Sequence, residues 1–208
     1  MPSEQTKDAP RLTAKGQATR ERIVAAAAQE MFERGVARTS LDEVKTAAGV
    51  SSSQLYHYFA DKHALVLAVI SHQTDAILAG QEPLLMNLDS LEALRAWRDL
   101  LVTIQHQLNC QGGCPIGSIG AELAETDPEA RERVAEGFRR WEAPIGDGLR
   151  AMHARGELRA EADPDALALA TLAALQGGLL LTQIRREAVP LEVALDAMLA
   201  HIESLTAA

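Results

Sequence analysis

Apolar residues recur along most of this chain at spacings of three and four, the period of an amphipathic α-helix. The first stripe holds Ile23, Val24, Ala27, Ala28, Met31 and Phe32; it begins near Gln17 and stops at Gly35. Thr39 and Ser40 then offer an N-cap, with Glu43 three residues after Ser40 to complete a capping box. The helix it opens runs to about Ala48, with Leu41, Val44 and Ala48 inward. Gly49-Val50 makes a short turn, and Ser51 to Ser53 cap a short third helix through Phe59. Asp61 caps a fourth, expected to reach about Leu78. Five or so longer helices follow. Ser90 caps one with Leu91, Leu94, Trp97, Leu101, Ile104 and Leu108, which the run Gln111-Gly112-Gly113-Cys114-Pro115 breaks; a short helix then reaches Glu125. Asp127-Pro128 and Asp163-Pro164 each place proline at the first helical position, where its missing N–H is no loss. The first of these helices carries Val134, Phe138, Trp141, Ile145, Leu149 and Met152, with a kink expected at Pro144 and an end at Gly156. The second is a long apolar helix to about Glu187, and Pro190 opens the last. The pattern predicts an all-α fold.

Composition agrees. The 208 residues suffice for one or two domains, and with aromatics at only 3% and few β-branched residues a β-sandwich or barrel is excluded. No apolar run of roughly 18 residues, the length that spans a bilayer, is expected. The polar start does not read as a secretory signal, and two cysteines make no disulfide framework, so the expected location is the cytoplasm. The formal net charge is −9, but it is uneven. Residues 1–63 hold nine Lys/Arg against eight Asp/Glu, and residues 64–208 hold eleven against twenty-one. That asymmetry fits a head that meets DNA and an acidic body that does not. The organisation expected is a flexible arm over 1–16, with Lys7, Arg11 and Lys15, a DNA-binding head over 17–63 and a second domain over 64–208.

The head carries the chemistry. Residues 39–62, TSLDEVKTAAGVSSSQLYHYFADK, have the layout of a helix-turn-helix: a capped helix, a turn at Gly49 and a second short helix. Small Ala47 and Ala48 let the helices approach, with Val50 and Leu55 between them. The outward face then presents Ser51, Ser52, Ser53, Gln54, Tyr56, His57 and Tyr58, groups suited to base edges and phosphates. Over residues 18–65 the chain resembles the TetR/AcrR family of bacterial transcriptional regulators; the string Leu-Tyr-His-Tyr-Phe, with Lys62 just beyond it, is the most specific part. The resemblance implies phosphate contacts from Thr39, Tyr56, Tyr58 and Lys62. It implies base or nearby phosphate contacts from Ser51, Ser52, Ser53, Gln54 and His57. Many relatives have Lys-Gly-Thr or Lys-Gly-Ser where Ser52-Ser53-Gln54 stand here, so one phosphate-binding lysine is missing and Gln54 is available for bidentate contact with an adenine.

The second domain is similar to a Gly-Cys-Pro-containing subgroup of that family, through Gly-Cys-Pro-Ile-Gly at 113–117, Phe138 with Trp141, and Leu-Gln-Gly-Gly at 175–178. This similarity implies a sensor for a small apolar or reactive molecule and a homodimer formed by the last two long helices, about 164–187 and 191–204. Gly177-Gly178 in mid-helix costs roughly 1 kcal/mol per residue against alanine, which suits close approach of a helix or ligand; a kink is the alternative. The apolar faces propose a ligand pocket from Trp97, Leu101, Ile104, Gln105, Cys114, Phe138, Trp141, Ile145, Leu175, Gln176 and Leu179, with Gln183 a further polar anchor. Cys110 and Cys114 raise a second input, a redox or electrophile switch with a thiolate activated near a helix start; plain buried packing is the other reading. His106, Cys110 and Cys114 are too few for a zinc site, so neither metal nor cofactor is expected. No nucleophile elbow, phosphate-cradling glycine loop or H-E-x-x-H is present, and Glu122, Glu125 and Asp127 form a charged helix end, which disfavours the remaining alternative, a small helical carrier or enzyme. The expectation is a ligand-responsive, homodimeric DNA-binding regulator on the bacterial nucleoid. It is a repressor on a palindromic operator whose half-sites lie roughly 34–36 Å apart, with the fourth helix as lever.

Overall fold

The structure, a computed structural model, describes residues 12–207. Lys7 and Arg11 of the expected arm lie outside the described residues. Among the described residues nine α-helices follow one another: α1 (Ala14–Arg34), α2 (Leu41–Ala48), α3 (Ser52–Tyr58), α4 (Lys62–Ala79), α5 (Leu91–Gln107), α6 (Pro115–Leu123), α7 (Pro128–Ala154), α8 (Pro164–Arg185) and α9 (Val189–Ser204). A 3-10 turn, Leu84–Asn87, lies between α4 and α5. There is no β-strand among the described residues.

Local chemistry sets the boundaries. Thr13 accepts the Gly16 N–H at 3.2 Å, so α1 starts three residues earlier than the apolar stripe suggests. Asp61, Ser90, Asp127 and Asp163 cap α4, α5, α7 and α8 through their side chains, and Pro128 and Pro164 occupy first-turn positions. α7 runs through Pro144 as one 27-residue helix. α8 ends at Arg185 because Arg186 turns left-handed, φ 59°.

Two cores form. The head packs Ile23, Val24 and Met31 of α1 against Val44, Leu55, Phe59 and the Leu65, Val69 and Ile70 side of α4. The larger core joins α5, α7, α8 and α9 through Trp97, Trp141, Ile145, Leu175, Leu191 and Ile202. A fully buried leucine or isoleucine contributes about 1.5–3 kcal/mol of transfer free energy, so these rows hold the domains. Phe32 departs from the expected inward stripe: it is exposed, and its ring covers the backbone of Gly112. Gly178 fits its expectation, since a Cβ there would lie 2.9 Å from the Leu191 Cα of α9, whereas Gly177 has open space around it. The membrane expectation is corrected. By length and composition α8 is apolar enough to cross a bilayer, yet one side of it packs on α7 and α9 through Leu167, Leu172, Leu175 and Leu179.

The far end of α4 is tied into the larger core. Buried Gln81 accepts the indole N–H of Trp97 at 2.9 Å and that of Trp141 at 3.1 Å. Its own amide donates to the Ile77 carbonyl at 3.0 Å. One side chain thereby ties α4, α5 and α7 together.

Candidate nucleic-acid face and sensor cavity

Each element of the head is pinned by its own caps. Ser40 and Glu43 form the expected capping box at the start of α2. Gly49 closes that helix at φ 62°, with open space around it, so the backbone angle and not crowding asks for glycine. Ser51 and Gln54 form a second capping box: Ser51 Oγ accepts the Gln54 N–H at 3.2 Å and Gln54 Oε1 accepts the Ser51 N–H at 2.9 Å. Leu55 and Phe59 are buried and seat α3 on the head, while the Arg20 guanidinium stands over the Phe59 ring at 5.2 Å.

The opposite face of α3 is open. Ser52, Ser53, Gln54 and His57 are exposed and Tyr56 is 57% exposed. Tyr58 is half-buried, edge-on to His57 at 4.9 Å. The half-buried Lys62 brings Nζ within 3.5 Å of the Ala37 carbonyl. No residue of α3 carries a carboxylate. Lys45, which the sequence pattern did not single out, reaches across from α2 to Ser52 Oγ at 3.3 Å and to Asp42 at 2.6 Å. Its position seven residues before Ser52, across the tight turn, is the signal that would have found it.

Three expectations change here. Thr39 is 1% exposed and its hydroxyl donates to the Gly35 carbonyl at 2.9 Å, so it is turned into the fold and away from the open face. Gln54 spends Oε1 on the helix cap, so the acceptor half of a bidentate adenine contact is already engaged; only Nε2 is free. Ala47 is exposed, leaving Ala48 as the small residue between the helices.

A cavity of about 530 Å³ opens between α6, α7 and α8. Its walls are mostly apolar, from Gly117, Ala121, Val134, Phe138 and Leu180, with Ser118, Gln176, Gln183 and Arg131 as polar groups and no carboxylate. The Gln176 amide nitrogen is buried there beside the Cys114 thiol, with no acceptor at full hydrogen-bond geometry. Of the expected pocket residues, the structure brings Cys114, Phe138, Gln176 and the further anchor Gln183 to this cavity. Trp97, Leu101, Trp141, Ile145, Leu175 and Leu179 lie in the large core instead, and half-buried Ile104 and buried Gln105 sit on α5, which packs on α9. Helical period marks which side of a helix is buried; it does not say where two buried sides leave a void.

The thiol expectation also reverses. Cys114 does sit at the start of α6, and its sulfur accepts the Gly117 N–H at 3.4 Å. Burial nonetheless pushes its pKa up to about 11, outweighing the pull of the Gly117 and Ile116 amides and of the Gln176 side chain. Cys110 is buried as well.

Two family profiles match the chain: "Bacterial regulatory proteins, tetR family" over residues 23–69 and "Tetracyclin repressor-like, C-terminal domain" over residues 90–198. The chain is 28% identical over 171 residues to the transcriptional regulator AcuR of Cereibacter sphaeroides, covering 81% of this chain and 78% of that one. It is 25% identical over 193 residues to the HTH-type transcriptional repressor DhaR of a Mycobacterium species, covering 90% and 96%. The crystal structure of a TetR transcriptional regulator from Chloroflexus aurantiacus superposes with a TM-score of 0.78 at 30% identity, over 93% of this chain and 98% of that one.

Proposed function

The chain belongs to the TetR family of bacterial regulatory proteins, and from that membership we propose that it is a homodimeric repressor released from a palindromic operator by a small molecule held between α6, α7 and α8. The observation that carries the DNA reading is the division of α3: Leu55 and Phe59 buried beneath it, Ser52, Ser53, Tyr56 and His57 open above it, and no carboxylate to repel phosphate. In this reading Ser52, Ser53 and His57 face base edges, while Tyr56, Tyr58, Lys62 and Lys45 meet phosphates. Ser51 and Gln54 hold the N-terminus of α3, which itself favours an anion. Thr39 braces the turn before α2 and makes no contact.

Dimerisation through the last two helices is supported by their exposed apolar side chains: Leu169, Leu181 and Ile184 on α8, Val189 and Val193 on α9. Together they resemble the core of an interface more than a solvated surface. The cavity suits an apolar molecule ending in a hydrogen-bond acceptor, because its unpartnered buried group is a donor and its walls lack an acid. A neutral, buried Cys114 favours this reversible occupant over a thiolate switch. Membership in a family of DNA-binding regulators favours this role over a carrier or an enzyme, and such a role places the protein in the cytoplasm, on the nucleoid.

The test is a fluorescence-anisotropy titration against a duplex that the wild-type protein selects from a randomised pool. Tyr56→Ala and His57→Ala remove exposed groups, so each should weaken binding by roughly ten- to a hundredfold, the worth of one good contact, with thermal unfolding unchanged. Wild-type protein that selects no duplex at low salt, or variants that bind like it, end the reading.

A further inference from the structure

α6 is a seam between the two domains. Ile116 is buried in the sensor core, and Ile119, one turn on, in the core of the head. Gly117, Ser118 and Ala121 face the cavity. At its C-terminal end Glu122 reaches out of its own domain: its carboxylate accepts the backbone N–H of Val36 at 2.8 Å and of Ala37 at 2.6 Å, in the turn between α1 and α2. Neither amide donates to a backbone carbonyl. The fit is close, since a Cβ on Gly35 would come within 3.2 Å of the same carboxylate. The Ala37 carbonyl in turn faces Lys62 Nζ at 3.5 Å. A carboxylate in the cavity wall helix and a cation at the DNA face thus meet the two backbone groups of one residue, Ala37.

We propose that Glu122 is the positioning residue through which the cavity controls the head: an occupant displaces α6, and the carboxylate carries that displacement into the α1–α2 turn and Lys62. The proposal rests on the cavity being the effector site. Its physical basis is the directionality of two charge-assisted hydrogen bonds on adjacent amides. A shift of about 1 Å takes such a bond beyond its working range, so the turn either follows α6 or is released. A second tether, His63 Nε2 to Asp127 at 3.1 Å, joins the start of α4 to the start of α7 and bypasses α6. It is the competing route.

Because the effector is unidentified, the probe is a side chain. Position 176 is in the opposite wall, and Gln176 Oε1 lies 3.4 Å from where a Cβ on Gly117 would stand, so Gln176→Trp presses on α6 as an occupant would; Gln176→Phe serves if the larger ring prevents folding, and Gln176→Leu removes the amide without filling space. Operator affinity is measured for each in the wild-type and Glu122→Ala backgrounds. We expect filling to weaken binding about tenfold in the wild-type background, within the usual span of allosteric coupling, and less than about twofold without Glu122. Equal changes in both backgrounds, zero included, overturn the proposal and leave the Asp127 route. Amide exchange at Val36 and Ala37 gives a readout without DNA. It should accelerate on filling, and unchanged exchange also overturns the proposal. Failure of the wild-type protein to bind any duplex would sink the regulator reading, while the exchange experiment would still judge the link.

Discussion

Replacing Gln81 by leucine isolates one buried hydrogen-bond knot. Gln81 is 3% exposed, and its carbonyl oxygen is the acceptor for two indole N–H groups, on Trp97 and Trp141, which are 1% and 2% exposed. Leucine fills nearly the same space, so the cavity penalty is small. Both indole donors, however, are stranded in the core with no water to replace the lost acceptor. A stranded donor costs about 1–3 kcal/mol, and two therefore about 2–6 kcal/mol. That is a large part of the 5–15 kcal/mol typical of a folded domain. Urea unfolding followed by circular dichroism, at one fixed protein concentration because dimerisation contributes, measures the loss. Trp97→Phe provides the check. In the Gln81→Leu background it removes one of the stranded donors, so the double variant should be less destabilised than the two single losses added together by about 1–3 kcal/mol. A loss below about 1 kcal/mol for Gln81→Leu, or strict additivity, would refute the claim that this oxygen satisfies both indoles.

Further outcomes follow from the same geometry. Lys62→Ala should lower the slope of log affinity against log salt by about one, the signature of a single neutralised phosphate; an unchanged slope removes Lys62 from the DNA face. Ser51→Ala deletes the hydroxyl that accepts the Gln54 N–H and should cost about 1 kcal/mol in urea unfolding. Ile184→Asp and Val193→Asp place charge on the exposed apolar side of α8 and α9, and sedimentation should report monomers; intact dimers would show that the interface lies elsewhere. Cys114 fixes a pH dependence. Its pKa rises from 9.0 to about 11 on folding, so the folded state holds that proton longer; the contribution is complete below pH 9 and is lost as pH climbs through 11. Wild-type protein should then lose about 2 kcal/mol more than Cys114→Ala between pH 8 and pH 11. Parallel curves would mean that the thiol is not buried as a neutral acid.

Signals that live within four residues were legible before any fold was known. The Ser40–Glu43 box, the Asp-Pro helix starts at 127–128 and 163–164, and the turn at Gly49 depend on backbone geometry that the neighbouring side chains set. They locate α2, α3, α7 and α8 and, through Leu55 and Phe59 on one side and Tyr56 and His57 on the other, the open face of the head. The errors share one cause. Thr39 reads as a polar residue at a helix start, and only the packing of the α1–α2 turn directs its hydroxyl to Gly35. Gln54 reads as an outward amide until its own backbone cap claims it. Cys114 reads as an activated thiol because α6 begins there, but it is buried in the large core, with Gln176 of α8 beside it from 62 residues on.

The amino-acid order by itself determined the helical class, the capped helix-turn-helix and the polarity of its outward side, because each follows from local periodicity and short-range hydrogen bonding. Where the cavity opens, that the Gln176 amide is buried in its wall, and how Glu122 meets a turn 85 residues earlier in the chain were decided only when the helices packed. Those properties depend on the relative placement of surfaces far apart in sequence, and no repeat of three or four residues encodes that distance.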